Sequence, residues 1–409
     1  MSKSANDITE KLYKELESQI LSAVERDSER LIQISRTIHS DPEIAYKEFR
    51  AAALLTASLE ERGFEVERGI AEIETAFVAR AGSQSSPQIA LLAEYDALPG
   101  LGHGCGHNLM ATATLGAAWA LREALDHLPG QLAVYGTPAE EGGGGKVLMV
   151  NRDVFKNVDA ALIFHPSTRN ITNRGSLAAT RIELSFKGKA SHSAAHPEMG
   201  INALDAVIQT FNNINALRQH LRPDARVHGI ITNGGQAVNI VPEFASASFS
   251  VRATDRKYAD EVLDKFRRCA EAAAMATSTT LDFNVLEHTR YDNMVPNGVM
   301  AHLFAEKLEK LGLEVVQPEP NEAMGSTDMG NVSQVVPSIH AYLAIAPEDV
   351  SGHSVEFREA AYSDVGQRGM LNAARALALT ALDLLAKPEL LAAAKREFTE
   401  QASKGVVKG

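Results

Sequence analysis

The chain has 409 residues, of which 45% are hydrophobic and 22% are charged, a composition typical of a globular protein with two or three domains. Its formal net charge is −12 and its basic residues are scattered, which argues against a nucleic-acid or anionic-membrane partner. With only two cysteines no disulfide framework is expected, and we predict a reducing, cytoplasmic location. The N-terminal residues lack the apolar core of a signal peptide, and no uncharged apolar run approaches the roughly 18–20 residues of a membrane span.

The first part of the chain predicts helices followed by short strands. Apolar residues recur every three to four positions over residues 7–40, a pattern typical of docked amphipathic helices. Pro42 interrupts this pattern, and a further helix is expected over residues 46–62, ended by Gly63. A long Ala-rich helix is predicted over residues 109–125. The remaining apolar segments predict strands at residues 64–68, 76–81 and 88–93.

Three apolar strands in succession lead into side chains that can bind a metal ion. These strands are predicted at residues 88–93, 131–136 and 160–164. The side chains that follow are Glu94, Asp96, His103, Cys105 and His107 after the first strand, Glu140 and Glu141 after the second, and His165 after the third. Ligands of α/β proteins bind beyond the carboxyl ends of the strands, so this recurrence indicates a site.

The pattern changes after about residue 177. A β-α-β-β-α-β series of about 110 residues follows, the order of a split βαβ unit, and it predicts an inserted domain. Helix and strand alternation returns from about residue 296, with a strand at 338–344, His353 in a loop and closing helices from 362. We therefore predict an α/β protein in three segments. These are the first part of a catalytic domain at 1–177, an inserted α+β domain at 178–290 and the second part of the catalytic domain at 291–409.

One thiolate, three imidazoles and one carboxylate make up the strongest set of candidate metal ligands. This mixture suits Zn, Mn, Co or Ni and does not suit Ca or Mg. Five ligands exceed one tetrahedral site, so two ions that share a bridging water are the simplest interpretation. The candidates are Cys105, His107, Glu141, His165 and His353.

Glu140 and Glu141 are adjacent carboxylates between an apolar strand and four glycines, where unpartnered charges are costly. Such a pair can divide its roles, one carboxylate binding a cation and the other accepting the proton of its bound water. Cys105 as a catalytic nucleophile is an alternative, but it leaves the glutamate pair and two histidines unused. A catalytically silent, metal-dependent peptide-binding protein is another, although binding alone needs no base. A nucleotide site is disfavoured, because no Walker-type sequence follows the glycines.

Several segments resemble the dinuclear-metal aminoacylase/carboxypeptidase family, in particular its branch of aminobenzoyl-glutamate hydrolases and dipeptidases. The resemblance covers the chain from about residue 39 to its end. The segments are Glu-Tyr-Asp-Ala-Leu-Pro (94–99), Gly-Cys-Gly-His-Asn (104–108), Pro-Ala-Glu-Glu followed by four glycines (138–145), Lys-Ala-Ser-His-Ser-Ala-Ala-His-Pro-Glu-Met-Gly-Ile-Asn-Ala (189–203), Gly-Gly-Gln-Ala-Val-Asn-Ile-Val-Pro-Glu (234–243), Gly-Ser-Thr-Asp-Met-Gly-Asn-Val-Ser (325–333) and Ser-Gly-His-Ser (351–354).

The resemblance implies a role for each candidate residue in the first catalytic segment. Glu140 matches the general base of the family, and Asp96 matches the carboxylate that steadies the first ligand loop. The residues that match the metal ligands are Cys105, His107, Glu141, His165 and His353. Asn108 stands where many relatives carry Asp, and the aspartate that bridges the metals of the carboxypeptidase branch has no certain counterpart. Which residue bridges the two ions is therefore left open.

In the inserted domain, His192 matches a histidine that reaches the active site of the other subunit in family dimers and helps to hold the tetrahedral oxyanion. Asn239 and Arg252 match positions that contact the substrate, and an arginine suits a substrate carboxylate. Each also has a structural interpretation: His192 as a polar residue at a helix start, Asn239 as a turn residue and Arg252 as a charge at a strand edge.

The family also implies a fold and an activity. The expected fold is a zinc-exopeptidase-like catalytic domain, with a central mixed sheet flanked by helices, and an inserted ferredoxin-like lid that forms a homodimer. The expected activity is metal-dependent hydrolysis of an amide bond. An N-acyl amino acid, a dipeptide and aminobenzoyl-glutamate are all compatible substrates.

Overall fold

Two sheets organise the chain in the computed structural model, which describes residues 8–82, 87–319, 322 and 324–407. Each sheet belongs to one of two compact units. The first unit takes the described residues of Met1–Gly175, Met294–Ala323 and Asn331–Gly409, and the second takes Ser176–Asn293 and Met324–Gly330.

The elements follow one another in three stretches of the chain. The N-terminal elements are α1 (Glu10–Arg26), α2 (Ser28–Ser40), α3 (Phe49–Glu60), β1 (Glu65–Arg68), β2 (Phe77–Gly82), β3 (Gln88–Ala93), α4 (His107–Arg122), β4 (Gln131–Gly136), α5 (Gly145–Asn151) and β5 (Ala160–Ser167). The middle elements are β6 (Ala178–Lys187), α6 (Ala203–Arg218), β7 (Arg226–Asn233), β8 (Phe244–Ala253), α7 (Arg256–Thr277) and β9 (Thr280–Val285). The C-terminal elements are α8 (Gly298–Lys310), α9 (Met329–Ser333), β10 (Ser338–Ala344), α10 (Val355–Tyr362), α11 (Asp364–Ala386) and α12 (Pro388–Ser403).

The first unit is built on a mixed six-stranded sheet of order β1-β2-β4-β3-β5-β10. Strands β4, β3, β5 and β10 run parallel to one another, while β2 pairs in the antiparallel sense with both β1 and β4. The middle strands read as nearly continuous apolar runs because both faces of a parallel sheet are covered. The predicted central mixed sheet flanked by helices is confirmed.

Helices α4 and α11 form the helical core of the first unit and pack along each other. Ala and Gly residues allow the close approach, and a Cβ at Gly116 would lie 2.8 Å from Leu31 and 3.3 Å from Ala374. By length and composition α11 could cross a membrane, but most of it is buried inside the unit. This is the environment of a core helix. The predicted helical region at 7–40 is divided between α1 and α2, and Asp7 lies outside the described residues.

The second unit is a four-stranded antiparallel sheet of order β7-β8-β6-β9 packed against α6 and α7. Alternate residues of β8 are buried, as expected for a sheet with one covered face, and its core includes Phe186, Phe249 and Phe266. The segment Met324–Gly330, which the sequence pattern assigns to the catalytic domain, belongs to this unit. Its backbone makes the attachment, since the Leu177 N–H donates to the Gly325 carbonyl over 2.8 Å.

Candidate metal centre

The five candidate ligands of the sequence lie together in the first unit. Cys105 Sγ lies 3.6 Å from His165 Nε2 and 3.2 Å from His353 Nε2. Glu141 Oε1 lies 3.6 Å from His353 Nε2 and 4.0 Å from His107 Nε2. The proximity follows from the sheet, because β4, β3, β5 and β10 run parallel side by side. Glu141, Cys105 and His353 follow β4, β3 and β10, whereas His165 lies inside β5 near its carboxyl end, since this strand extends to Ser167 and does not end at residue 164 as predicted.

The cluster divides into groups that share a member. Cys105, His107 and His165 offer ligand atoms that all lie within 4.8 Å of one another, and so do Cys105, Glu141 and His353. Two ligand atoms of one tetrahedral zinc site are separated by about 3.4–3.6 Å, given the bond lengths of zinc to nitrogen, oxygen and sulfur. The shortest separations in this cluster agree with that spacing.

Buried ligand atoms without a hydrogen bond also fit a bound cation. His107 Nε2 and Glu141 Oε1 are buried, and neither makes a hydrogen bond to any described residue. Buried polar atoms without a partner are rare in folded proteins, and a bound ion or water usually satisfies them. The thiol, imidazole and carboxylate groups present here therefore suit transition-metal ions.

Asp96 orients two of these ligands. Its backbone carbonyl and Oδ1 lie 2.9 and 3.0 Å from His107 Nδ1, so His107 turns Nε2 toward the cluster. Its Oδ2 accepts a hydrogen bond of 2.9 Å from the backbone N–H of Glu141. Burial opposes the charged form of His107, but Asp96 raises the pKa of His107 well above its ordinary value. The carboxylate thus makes the imidazole a stronger base, as expected beside a metal ligand.

Backbone contacts orient the other two histidines. His165 Nδ1 lies 2.6 Å from the Pro166 carbonyl, which leaves Nε2 facing Cys105. His353 has a left-handed backbone with a φ of 59°, and its N–H donates to the Gly104 carbonyl over 3.1 Å. That hydrogen bond ties the loop of His353 to the glycine loop of Cys105.

The environment of Cys105 does not suit a nucleophile. Burial and the neighbouring carboxylate of Glu141 raise the pKa of the Cys105 thiol well above its ordinary value. Nucleophilic cysteines need the opposite shift, toward the thiolate. The alternative of Cys105 as a catalytic nucleophile is therefore disfavoured, whereas a bound cation would itself stabilise the thiolate.

Glu140 lies at the same centre, and Glu48 holds the loop that carries it. Glu140 offers a carboxylate oxygen that groups with His107 and Glu94 within 4.8 Å. The preceding residue, Ala139, has a left-handed backbone with a φ of 63°, and its N–H donates to Glu48 Oε1 over 3.0 Å. Burial and the charge of Asp96 raise the pKa of Glu48 to about 7.

Glu94, which the sequence places among the side chains able to bind a metal ion, takes part in this centre, and so do Lys146 and Glu48, to which the sequence pattern assigned no role. Glu94 Oε2 lies 3.3 Å from His107 Nε2, and Glu94 Oε1 lies 2.6 Å from Lys146 Nζ. Glu94 precedes Asp96 by two residues, and in an extended segment such residues point to the same side. This alternation indicates that Glu94 lies on the same side of the chain as Asp96. No comparable local pattern in the sequence indicates that Lys146 or Glu48 lies at the centre.

The remaining candidates lie in the second unit. His192 and Asn239 are exposed and come from adjoining segments, since the Ser193 N–H donates to the Asn239 carbonyl over 3.0 Å. Arg252 is partly buried in β8 opposite Ala179, near the start of β6. His192 follows the other end of β6, so the strand separates Arg252 from the first two by roughly 25 Å.

Residues 90–376 match Peptidase family M20/M25/M40. The Xaa-Arg dipeptidase of Mus musculus is 41% identical over 395 residues, which cover 92% of this chain and 90% of that protein. A p-aminobenzoyl-glutamate hydrolase polypeptide of Escherichia coli is 38% identical over 71% of this chain and 64% of that protein. The solved structure of a dinuclear metal binding peptidase from Bacillus subtilis, 21% identical, has a TM-score of 0.66 and covers 88% of this chain and 99% of that chain.

These matches confirm the family resemblance predicted from the motifs. The matched region contains the loops that carry Cys105, Glu141 and His353, as well as the end of β5 that carries His165. The chain therefore belongs to Peptidase family M20/M25/M40 and is a metal-dependent hydrolase of amide bonds.

Proposed function

We propose that the chain is a dipeptidase that uses two divalent transition-metal ions and cleaves dipeptides with a basic C-terminal residue. The observation that carries the proposal is the position of Cys105, whose sulfur belongs to two separate groups of possible ligands. Zn, Mn, Co and Ni all suit the mixture of sulfur, nitrogen and oxygen donors. A dinuclear metal centre in a similar fold supports the two-ion stoichiometry.

The two groups divide the ligands between the ions. His107 and His165 would hold one ion, Glu141 and His353 would hold the other, and Cys105 would contribute to both. Because Cys105 belongs to both groups, its thiolate would be available to either ion. Asp96 would hold the ligands of the two ions at a fixed separation, because its carboxylate contacts His107 and the backbone of Glu141.

When bound, the ions polarise the scissile carbonyl and lower the pKa of a water molecule. Glu140 accepts the proton of that water and later delivers it to the leaving amine. Glu48 supports this step through the backbone, since it anchors Ala139 immediately before the base. His192 donates a hydrogen bond to the oxyanion of the substrate, in the role that the family motif implies.

The basic C-terminal residue is proposed from relatedness and charge. The most extensive similarity described above is to an Xaa-Arg dipeptidase, and it spans 92% of this chain. The net charge of −12 would attract a cationic dipeptide and repel the anionic aminobenzoyl-glutamate. Arg252 is the proposed partner of the substrate carboxylate, and Asn239 is proposed to contact the substrate amide.

A homodimer follows as part of this proposal. His192 and Asn239 lie at one end of the second sheet and Arg252 at the other, so a single copy cannot bring all three to one substrate. The edge strand β7 carries exposed Ile230 and Ile231, which suits pairing with a second copy. The two cysteines are free, in keeping with the proposed cytoplasmic location.

A matched substrate panel tests the proposal. Ala-Arg, Ala-Lys, Ala-Glu, N-acetyl-arginine and aminobenzoyl-glutamate would be compared by kcat/KM with the metal-loaded protein. We expect the two basic dipeptides to exceed the others by at least about tenfold, because each lost ion pair or hydrogen bond costs about that factor. If aminobenzoyl-glutamate were cleaved fastest, the proposed preference for basic dipeptides would be wrong. If none of the five compounds were cleaved, the peptide-binding alternative would be favoured.

A further inference from the structure

We propose that Glu94 is an additional oxygen ligand of the ion held by His107, and that Lys146 positions its carboxylate for this role. The inference rests on the proposed metal-dependent function, because it concerns the coordination of one of the two ions. It adds a carboxylate to the five ligands that the sequence motifs indicate.

Glu94 is placed where a ligand of this ion would be. It directly follows β3, is fully buried, and has Oε2 3.3 Å from His107 Nε2. Two oxygen or nitrogen ligands of one ion are separated by about 3.0–3.4 Å, depending on the coordination geometry. Glu94 and His107 therefore stand at the spacing of two ligands that share an ion.

One carboxylate oxygen of Glu94 is paired and the other is not. Lys146 Nζ lies 2.6 Å from Oε1, the distance of a charge-assisted hydrogen bond. Oε2 makes no hydrogen bond to a described residue and lies 3.3 Å from His107 Nε2. A buried carboxylate oxygen without a hydrogen bond is costly, so Oε2 is the atom available to an ion.

Lys146 is held rigidly, as a positioning residue must be. Its side chain is fully buried, and it lies at the start of α5, immediately after Gly145. A Cβ at Gly145 would lie 1.9 Å from the Pro138 carbonyl oxygen, so only glycine lets the two segments approach this closely. The same contact connects Lys146 to the loop that carries Glu140 and Glu141.

The competing explanation is that Glu94 serves only as the counter-ion of Lys146. The two explanations differ in what happens to the metal when the carboxylate is replaced by an amide of the same shape. In Glu94→Gln the amide oxygen can still face Lys146, but the nitrogen that would face the ion is not a ligand. In this single variant the uncompensated charge of Lys146 would also repel a cation. When both charges are removed together, only a ligand role predicts weaker metal binding.

Metal affinity of the purified full-length protein, measured by competition with a chromogenic chelator, tests the inference. For Glu94→Gln we expect one of two ions to bind at least about tenfold more weakly than in the wild type. We also expect the visible absorption of the Co(II)-loaded protein to change, because it reports the coordination geometry. Asp383→Asn is the matched control, because Asp383 is a buried carboxylate of α11 that pairs with the buried Lys307 and contacts no candidate ligand among the described residues. It should keep both affinities.

The single variant could misfold because it leaves the buried charge of Lys146 uncompensated. A double variant, Glu94→Gln with Lys146→Met, removes both charges and provides a second measurement. It should show the same weakening of one ion. If Glu94→Gln or the double variant binds both ions within twofold of the wild type, with an unchanged Co(II) spectrum, the ligand role is wrong although the proposed function stands. If the wild type binds no transition-metal ion, both fail.

Discussion

Asp96 Oδ2 accepts a hydrogen bond of 2.9 Å from the backbone N–H of Glu141, a residue 45 positions further along the chain. The other carboxylate oxygen of Asp96 lies 3.0 Å from His107 Nδ1. One buried side chain thus fixes a ligand at the start of α4 and another on the loop after β4. The ion-binding geometry of the two loops depends on this single carboxylate.

Asp96→Asn should therefore weaken metal binding. The amide can accept from only one of its two partners, so either His107 or Glu141 loses its support, and we expect a decrease of about 10–100-fold in metal affinity. Chelator competition measures the decrease. Asp159→Asn is the control, because Asp159 also accepts a backbone N–H, from Gln88 at 2.7 Å, but does so at the other end of β3. Equal affinities in wild type and Asp96→Asn would contradict the orienting role.

Glu140→Gln should separate chemistry from metal binding. The amide cannot accept the proton of water, so we expect kcat to fall by about 10²–10⁴-fold while both ions are retained. Steady-state kinetics on a basic dipeptide, together with metal analysis of the same sample, measures both effects. A variant that is fully loaded with metal and fully active would show that Glu140 is not the base.

Glu48 should make the stability of the first unit depend on pH. Its pKa is raised from the ordinary value of 4.5 to about 7 in the folded protein, so the folded state binds more protons than the unfolded state between these values. Glu48 therefore destabilises the fold progressively as pH rises from about 4.5 to 7, by up to about 3 kcal/mol.

Glu48→Gln removes this titration and keeps an oxygen that can accept from Ala139. Relative to the wild type, the variant should gain stability between pH 5 and pH 8, as measured by urea unfolding at both values. Parallel pH dependence in the two proteins would mean that Glu48 does not titrate in this range.

His192 should act across a homodimer. Mixed dimers of a His192→Ala subunit and a Glu140→Ala subunit contain one site in which the base and the histidine are both intact. Mixing the two inactive proteins under conditions of subunit exchange should therefore restore hydrolysis. No recovery in verified mixed dimers would place His192 in the site of its own subunit or outside catalysis.

The sequence predicts the cluster well because its ligands lie at or beyond the carboxyl ends of strands. Parallel strands bring their carboxyl ends to one edge, so Cys105, Glu141 and His165 could be grouped without knowledge of the strand order. His353 follows β10, which pairs with β5, and it was grouped with the others by its residue type and by the family motif. The pattern of hydrophobic residues also predicted the mixed sheet and the inserted α+β unit.

Contacts distant in sequence could not be predicted. Glu48 supports Ala139 across 91 positions, and Lys146 pairs with Glu94 only because Gly145 lets α5 approach Pro138. Neither relation leaves a periodic or local signal. The attachment of Met324–Gly330 to the second unit likewise depends on backbone hydrogen bonds, which the identity of the side chains does not reveal.

Metal content measured together with hydrolysis tests the central claim most directly. Plasma emission analysis of the purified protein would be combined with cleavage of Ala-Arg before chelation, after chelation and after metal is restored. We predict about two transition-metal ions per chain, loss of cleavage on chelation and recovery on addition of Zn, Mn, Co or Ni. Cleavage that persists in metal-free protein, or that is abolished only by alkylation of Cys105, would contradict the account.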